Sequence, residues 1–322
     1  MTVLRNLCVL AVLLNVVACA GESPKTYTDP ELAKSDPDFL VQGEYTNAGD
    51  GLQVVALGGG KFYTATLKGG LPGAGWDGKP VASNLLDSDG VKKLLEGGWK
   101  RVERTSPTLG QKPPEGAVVL FDGSSLDAWK NAKKSDDGLL CESTQTVKAF
   151  KNFTLHMEFR MPFKPTVPPS SQDRGNSGVY IFNRYEVQLL DSFGLHFFPN
   201  THDEASWSAA FQKELGFKPG SNRNQFCGSM YHWKPPELNA AFPPLTWQTY
   251  DITFKAPVME GTTKKENARI TVIQNGIKIQ DNVELKSGTG AGSKKPEVSE
   301  ESIYLQGHGN PVRFRNVWII EQ

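Results

Sequence analysis

Most of the chain alternates between apolar and polar residues with a period of two, the pattern of strands with one face buried. In Phe153–Met161, Phe153, Leu155, Met157 and Phe159 share one face, and Thr154, His156, Glu158 and Arg160 share the other. In Tyr185–Leu190, Tyr185, Val187 and Leu189 oppose Glu186 and Gln188. Ile303 and Leu305 oppose Tyr304, Gln306 and His308. Further strands are expected at 117–121, 138–141, 178–182, 248–255, 268–275, 277–283 and 312–321, with turns at Asp122-Gly123, Asp137-Gly138, Asn183-Arg184 and Asn275-Gly276. Many short strands without interleaved helices predict an all-β sandwich or barrel.

The earlier part of the chain reads differently. Leu52–Leu57 and Lys61–Leu67 form a hairpin signal around Gly58-Gly59-Gly60, and Asp87–Leu95 is a short helix capped by Asp87 or Ser88. The run Gly69–Gly78 lacks a G-K-[ST] ending, so it reads as a structural loop pinned by Trp76 and not as a phosphate loop. Three prolines within 104–116 mark a linker. The expected layout is a signal at 1–20, a tether at 21–38, a small β-rich domain at 39–103, the linker, and a second domain at 117–322. About 65 residues lies near the lower limit for independent folding.

Arg5 followed by the apolar run Leu7–Ala20 has the form of an export signal, too short to span a bilayer comfortably. Val16-Val17-Ala18-Cys19 resembles a bacterial lipobox, which would leave a lipidated Cys19; cleavage after Ala18-Cys19-Ala20 is the alternative. Either reading sends the chain to the periplasm or cell surface, with a membrane contact only through a lipid anchor. Export permits a disulfide between Cys141 and Cys227, or two separately buried thiols. Lys+Arg and Asp+Glu are 35 each, so the formal charge is zero and a generic nucleic-acid binder is disfavoured.

The polar rows are rich in ionisable and hydrogen-bonding groups and nearly free of lysine, unlike an ordinary solvated face. An insertion at about 193–245 interrupts the strand pattern and carries His196, His202, Trp207, Arg223, Tyr231, His232 and Trp233, with Trp247 just beyond. Aromatic rings with polar partners on a sheet face suit sugars.

Val119–Trp129, with its L-F-D-G-x-x-L-x-x-W pattern, resembles the opening of the 3-keto-disaccharide hydrolase family. Phe153–Arg160, Gly175–Tyr180, Tyr185–Ser192, and Leu305–Gly309 before Phe314–Val317 follow in the family's order, so the resemblance covers about residues 115–322. It implies a concanavalin A-like jelly-roll sandwich with a concave sugar-binding face, and cleavage of glycosides oxidised to a ketone at C3.

Such a ketone acidifies the hydrogen on C2. Its removal lets the enolate expel the C1 substituent; water addition then completes a net hydrolysis, whereas stopping earlier makes the enzyme a lyase. Glu186 and His308 are the expected base and acid, in either order. Arg160 and Arg174 are expected to stabilise the enolate or hold hydroxyls. Asn176, Gln188, Tyr231, Trp247 and Gln306 are expected binders, and Asp191 either orients a partner or caps the turn at Ser192. A divalent metal held by Glu186 with His308 or His156 is an alternative electrophile, although no HxH or HExxH spacing exists. Glu186–Asp191 also resembles the E-x-D-x-x-E signature of retaining β-glucanases. Gln188 and Asp191 depart from it, which puts a double displacement in doubt. A non-catalytic lectin-like surface protein is the competing class.

Overall fold

The computed structural model describes residues 25–79, 82–196, 213–217 and 223–322. The signal and Cys19, together with His202 and Trp207, lie outside them. Five strands, β1 (Gly43–Asn47), β2 (Asp50–Gly58), β3 (Lys61–Leu67), β4 (Ala82–Asp87) and β5 (Lys100–Val102), form an antiparallel N-terminal sheet in the order β4-β3-β2-β1-β5. Gly58, Gly59 and Gly60 all take positive φ at the β2–β3 turn, which favours glycine. Helices α1 (Pro30–Ala33), α2 (Pro37–Val41) and α3 (Ser88–Leu95) pack nearby, each with an aspartate N-cap: Asp29, Asp36 and Asp87.

The expected tether is in part folded. Tyr27 and Phe163 exchange backbone hydrogen bonds at 2.9 Å, and α1 and part of α2 fall before residue 39. The sequence carried the signal twice, as Asp29-Pro30 and Asp36-Pro37, a cap followed by proline at the first helical position.

Both faces of the N-terminal sheet are covered. Leu52, Val54, Ala56 and Phe62 pack with Phe163 and Leu245. Val55, Tyr63, Ala65 and Leu67 pack with Phe193, Leu195, Leu215 and Phe226 from the insertion. A sheet this small cannot bury two apolar faces by itself, so it borrows the second part of the chain. Trp76 joins the latter cluster, edge-on to His196 with ring centroids 4.7 Å apart.

The remainder is a sandwich of two antiparallel sheets. Its strands in chain order are β6 (Val118–Phe121), β7 (Trp129–Lys130), β8 (Leu140–Cys141), β9 (Thr144–Thr146), β10 (Phe153–Arg160), β11 (Asn176–Ile181), β12 (Tyr185–Leu190), β13 (Trp247–Lys255), β14 (Val258–Glu260), β15 (Thr263–Glu266), β16 (Ala268–Gln274), β17 (Ile277–Leu285), β18 (Ile303–Leu305) and β19 (Arg313–Glu321). One sheet runs β17-β16-β13-β10-β19-β6, with β8 also on β19; the other runs β12-β11-β18-β9-β7. β14 and β15 form a separate hairpin. The Asn275-Gly276 turn has positive φ at both residues, as the two-residue hairpin signal requires.

The inward rows expected from parity meet in one core. Phe153, Leu155, Met157 and Phe159 face Val187, Leu189, Val179, Ile181, Ile303 and Leu305. Burying side chains of this size stabilises the sandwich by about 1.5–3 kcal/mol each. Cys141 and Cys227 are both free thiols.

Candidate functional site

The outward rows of the two sheets have different fates. On β10, His156 and Glu158 are buried beneath the 104–116 segment. Thr108 donates to Asp251 at 2.9 Å, the Gly110 amide donates to Glu158 at 2.6 Å, and Asn316 donates to the Gln111 carbonyl at 2.9 Å. Arg315 and Asn316 also donate to Glu158, at 2.7 and 2.9 Å. Burial alone would raise the Glu158 carboxyl, but hydrogen bonds from His156, Asn316, Gly110 and Arg315 outweigh it and hold the pKa at about 2. Burial works against charge on His156 too, yet Asp251, 2.6 Å from Nδ1, and Glu158 raise its pKa overall.

Arg160 and Trp247 belong to this same outer face. They are paired across β10 and β13, the Arg160 guanidinium lies 5.0 Å from the indole centroid, and it donates to Asp137 at 3.0 Å. Arg315 stacks on the same indole at 3.9 Å. The expected roles of Arg160 and Trp247 beside Glu186 are therefore corrected, as is His156 as a metal partner of Glu186. The outer faces of two packed sheets point in opposite directions.

Arg174 is corrected as a ligand for another reason, and Asp191 takes the orienting and turn-capping role instead of touching substrate, accepting from the Phe193 amide at 3.4 Å. Arg174 Nε donates to Asp191 at 2.9 Å, and its terminal nitrogens donate to the Val167 and Ala56 carbonyls at 2.6 and 2.7 Å. Both side chains are buried and spend their hydrogen bonds on the protein.

The outer face of the five-stranded sheet assembles the remaining candidates. Glu186 pairs with Tyr180, Tyr180 with Tyr304, and Tyr304 with Gln145, giving one row across four strands. Beyond the β12 edge the Tyr231 amide donates to the Glu186 carbonyl at 3.2 Å, which extends the row. The neighbouring row is Gln188, Gly178 and Gln306. Gly178 leaves room for the acid, since a Cβ there would stand 2.5 Å from Glu186 Oε1.

Glu186 is 1% exposed. The Gln306 amide donates to the Tyr180 hydroxyl at 3.2 Å, and that hydroxyl donates to Glu186. The Gln188 amide lies against Glu186 Oε1 at 3.0 Å and the Ser177 carbonyl at 2.9 Å. Burial pushes the Glu186 pKa up to about 7, against the lowering effect of the Tyr180 hydrogen bond. Burial and the Glu186 charge raise both Tyr180 and Tyr231. Among the described residues, Glu186 Oε2, Asn176 Oδ1 and Gln306 Oε1 are buried oxygens without a hydrogen-bond partner. Three such acceptors on one face are a costly arrangement without a ligand that donates to them.

His308 stands apart from this row. It is exposed, four residues beyond Tyr304, and among the described residues only its backbone carbonyl is engaged, by Asn310 at 3.1 Å. No described contact joins it to Glu186, so the expected acid–base pair is not assembled. The described residues contain no group of three or more His, Cys, Asp or Glu placed to hold a metal.

Tyr180, Gly178, Tyr304 and Gln172 are absent from the site read in the sequence. Parity within 178–182 carried a signal for Tyr180, because a short turn at Phe182-Asn183 returns the chain directly onto Glu186. Gln172, on a short 3₁₀ turn at Gln172–Arg174, carried none.

This is a β-sandwich whose polar sheet face is centred on one buried, high-pKa carboxylate. The profile of the 3-keto-alpha-glucoside-1,2-lyase-like domain matches residues 116–320, and the chain belongs to that family of carbohydrate-processing enzymes. A solved structure of a candidate glycosyl hydrolase from Parabacteroides distasonis ATCC 8503 is 27% identical, with a TM-score of 0.52, covering 72% of this chain and 98% of its own. A second candidate glycosyl hydrolase from that organism is 20% identical, with a TM-score of 0.44, covering 65% and 94% respectively. No curated protein matches the chain.

Proposed function

We propose that the chain cleaves 3-keto-glycosides, with Glu186 as the base that removes the C2 proton. The observation that carries this reading is Glu186 itself: a buried carboxyl poised at about 7, clamped on one side and with Oε2 free. Proton transfer from C2 to Glu186 sends the C–H electron pair into the C3 carbonyl as an enolate. Return of those electrons forms the C1–C2 double bond and expels the C1 oxygen, which takes up a proton. Addition of water, hydroxide to C1 and proton to C2, restores the 3-keto sugar and makes the net reaction a hydrolysis.

Tyr231 lies in the row of Glu186, and its raised pKa keeps the hydroxyl protonated, as a donor to the leaving oxygen requires. Gln306 and Tyr180 hold the base in place. The enolate oxygen has neutral donors on this face in the hydroxyl of Tyr304 and the second N–H of the Gln306 amide. The ordered motifs and the family profile support the same substrate class.

The test is a mass-spectrometric time course on a 3-keto-glucoside and its unoxidised parent, with and without chelator. Cleavage of the keto sugar alone is expected. An intact keto sugar that still binds would move the protein to the lectin-like class, and cleavage of the parent would revive the glucanase reading. The export reading has its own test: lipid labelling of the full chain is expected, and its loss in Cys19→Ser would identify the anchor.

A further inference from the structure

The N-terminal sheet lies outside the family profile, yet it is wired to one end of the polar face. We propose that this sheet, acting through Arg174, fixes an outer subsite of Gln172, Asn176 and Gln225 that binds the second sugar unit of the substrate. The inference rests on the assignment of Glu186 as the C2 base.

Arg174 lies in sequence between Gln172 and Asn176. Its guanidinium joins three elements: the Ala56 carbonyl of β2, the Val167 carbonyl of the preceding loop, and Asp191 at the end of the Glu186 strand. The Asp191 amide in turn donates to the Gly175 carbonyl at 3.0 Å. Arg174 is 1% exposed, so it is a positioning residue and not a ligand.

The residues on either side of it interlock. Asn176 Nδ2 donates to Gln172 Oε1 at 2.6 Å, and Gln172 Nε2 donates to Gln225 Oε1 at 2.9 Å. Gln225 is followed by Phe226, which packs against Val55 and Tyr63 of the N-terminal sheet. The amide cluster is thus pinned to that sheet from both ends. One of its atoms, Asn176 Oδ1, is a buried acceptor with no partner among the described residues.

Asn176 is four residues from Tyr180 along β11, which is about 13 Å at the rise of a strand. That exceeds a single pyranose ring. With one ring over Glu186 and Tyr180, Asn176 meets the next unit. The face therefore has two parts: a reacting end built by the sandwich alone and a recognition end tuned by the N-terminal sheet.

The experiment compares a 3-keto-disaccharide with methyl 3-keto-glucoside, which lacks the second ring. Arg174→Lys keeps the charge but cannot span three acceptors. For both Arg174→Lys and Asn176→Ala, KM for the disaccharide is expected to rise about tenfold, with kcat and the methyl glucoside kinetics nearly unchanged, as for the loss of about one hydrogen bond. Asn176→Ala leaves the buried ion pair intact and reads the subsite if Arg174→Lys does not fold. Equal losses on both substrates, or no loss on either, would overturn the proposal. If the wild-type protein cleaves neither keto sugar, the assignment of Glu186 fails instead. Calorimetric binding of the unoxidised disaccharide and of methyl glucoside then decides the subsite: Asn176→Ala weakening only the disaccharide supports it, and equal weakening refutes it.

Discussion

Glu158 and Glu186 occupy equivalent positions in the sequence pattern and opposite electrostatic environments. Each is an outward residue in an alternating strand, and each is 1% exposed. Glu158 is surrounded by donors and held at about 2. Glu186 has a clamp on one oxygen, nothing described on the other, and is raised to about 7. Burial opposes ionisation at both, so the difference lies in how many donors surround each carboxylate. A carboxylate saturated with donors holds structure together, as Glu158 holds the 104–116 segment to the sheet. A carboxylate left half satisfied is free for chemistry.

The sharpest way to break this comparison is to remove each charge in turn. Glu186→Gln is expected to lower turnover of a 3-keto-glucoside by at least about 100-fold, while Glu158→Gln leaves turnover within about threefold. The destabilisation should be reversed: Glu158→Gln costs about 1–3 kcal/mol in a urea titration, because Arg315 and the Gly110 amide lose a charged acceptor. Equal activity losses in the two variants would show that the two faces are not functionally distinct.

The two acids should also respond oppositely to pH. The folded pKa of Glu186 lies above its ordinary 4.5, so the folded state binds that proton more tightly than the unfolded state. Its ionisation therefore weakens the fold as pH rises from about 5 through 7. Glu186→Gln should raise stability at pH 8 by about 1–3 kcal/mol relative to its effect at pH 5, read by thermal melts. Glu158 has a lowered pKa, so its contribution is present above 4.5 and is lost as pH falls toward about 2. Between about pH 5 and 7 kcat/KM should rise with pH, levelling off above about 7 as Glu186 becomes the competent base. A flat profile from pH 5 to 9 would count against it.

A smaller effect is expected at Gly178. Gly178→Ala brings a methyl group within 2.5 Å of Glu186 Oε1, and the acid must shift. Turnover should fall about tenfold or more with little change in Tm, since an ångström of displacement is felt strongly in catalysis. Normal turnover would mean that the carboxylate position is not critical.

The smallest difference separates two candidate donors. Tyr231→Phe should slow the reaction more than His308→Ala, since Tyr231 stands beside Glu186 and His308 does not. The reverse order would restore the pairing of Glu186 with His308.

Much of the architecture was legible along the chain. Alternation marked the inward faces of β10, β12 and β18, and Asn275-Gly276 marked a hairpin, because strand parity and turn conformation are local properties of a few residues. The motif order identified the family, and Glu186, Gln188, Gln306 and Asn176 lie on one outer sheet face with Tyr231 at its edge.

The misplaced residues share one cause. Parity says that Arg160 points outward, but not from which sheet. That depends on β10 pairing with β13 and β19, strands drawn from far along the chain. Tertiary packing likewise joined Arg174 to Asp191 and to Ala56, and placed Phe193 and Phe226 against the N-terminal sheet. The sequence by itself determined which faces are apolar and which turns are tight, because those follow from neighbouring residues. Only the tertiary structure decided which polar face surrounds its carboxylate with donors and which leaves an oxygen free, because burial and partners come from distant segments.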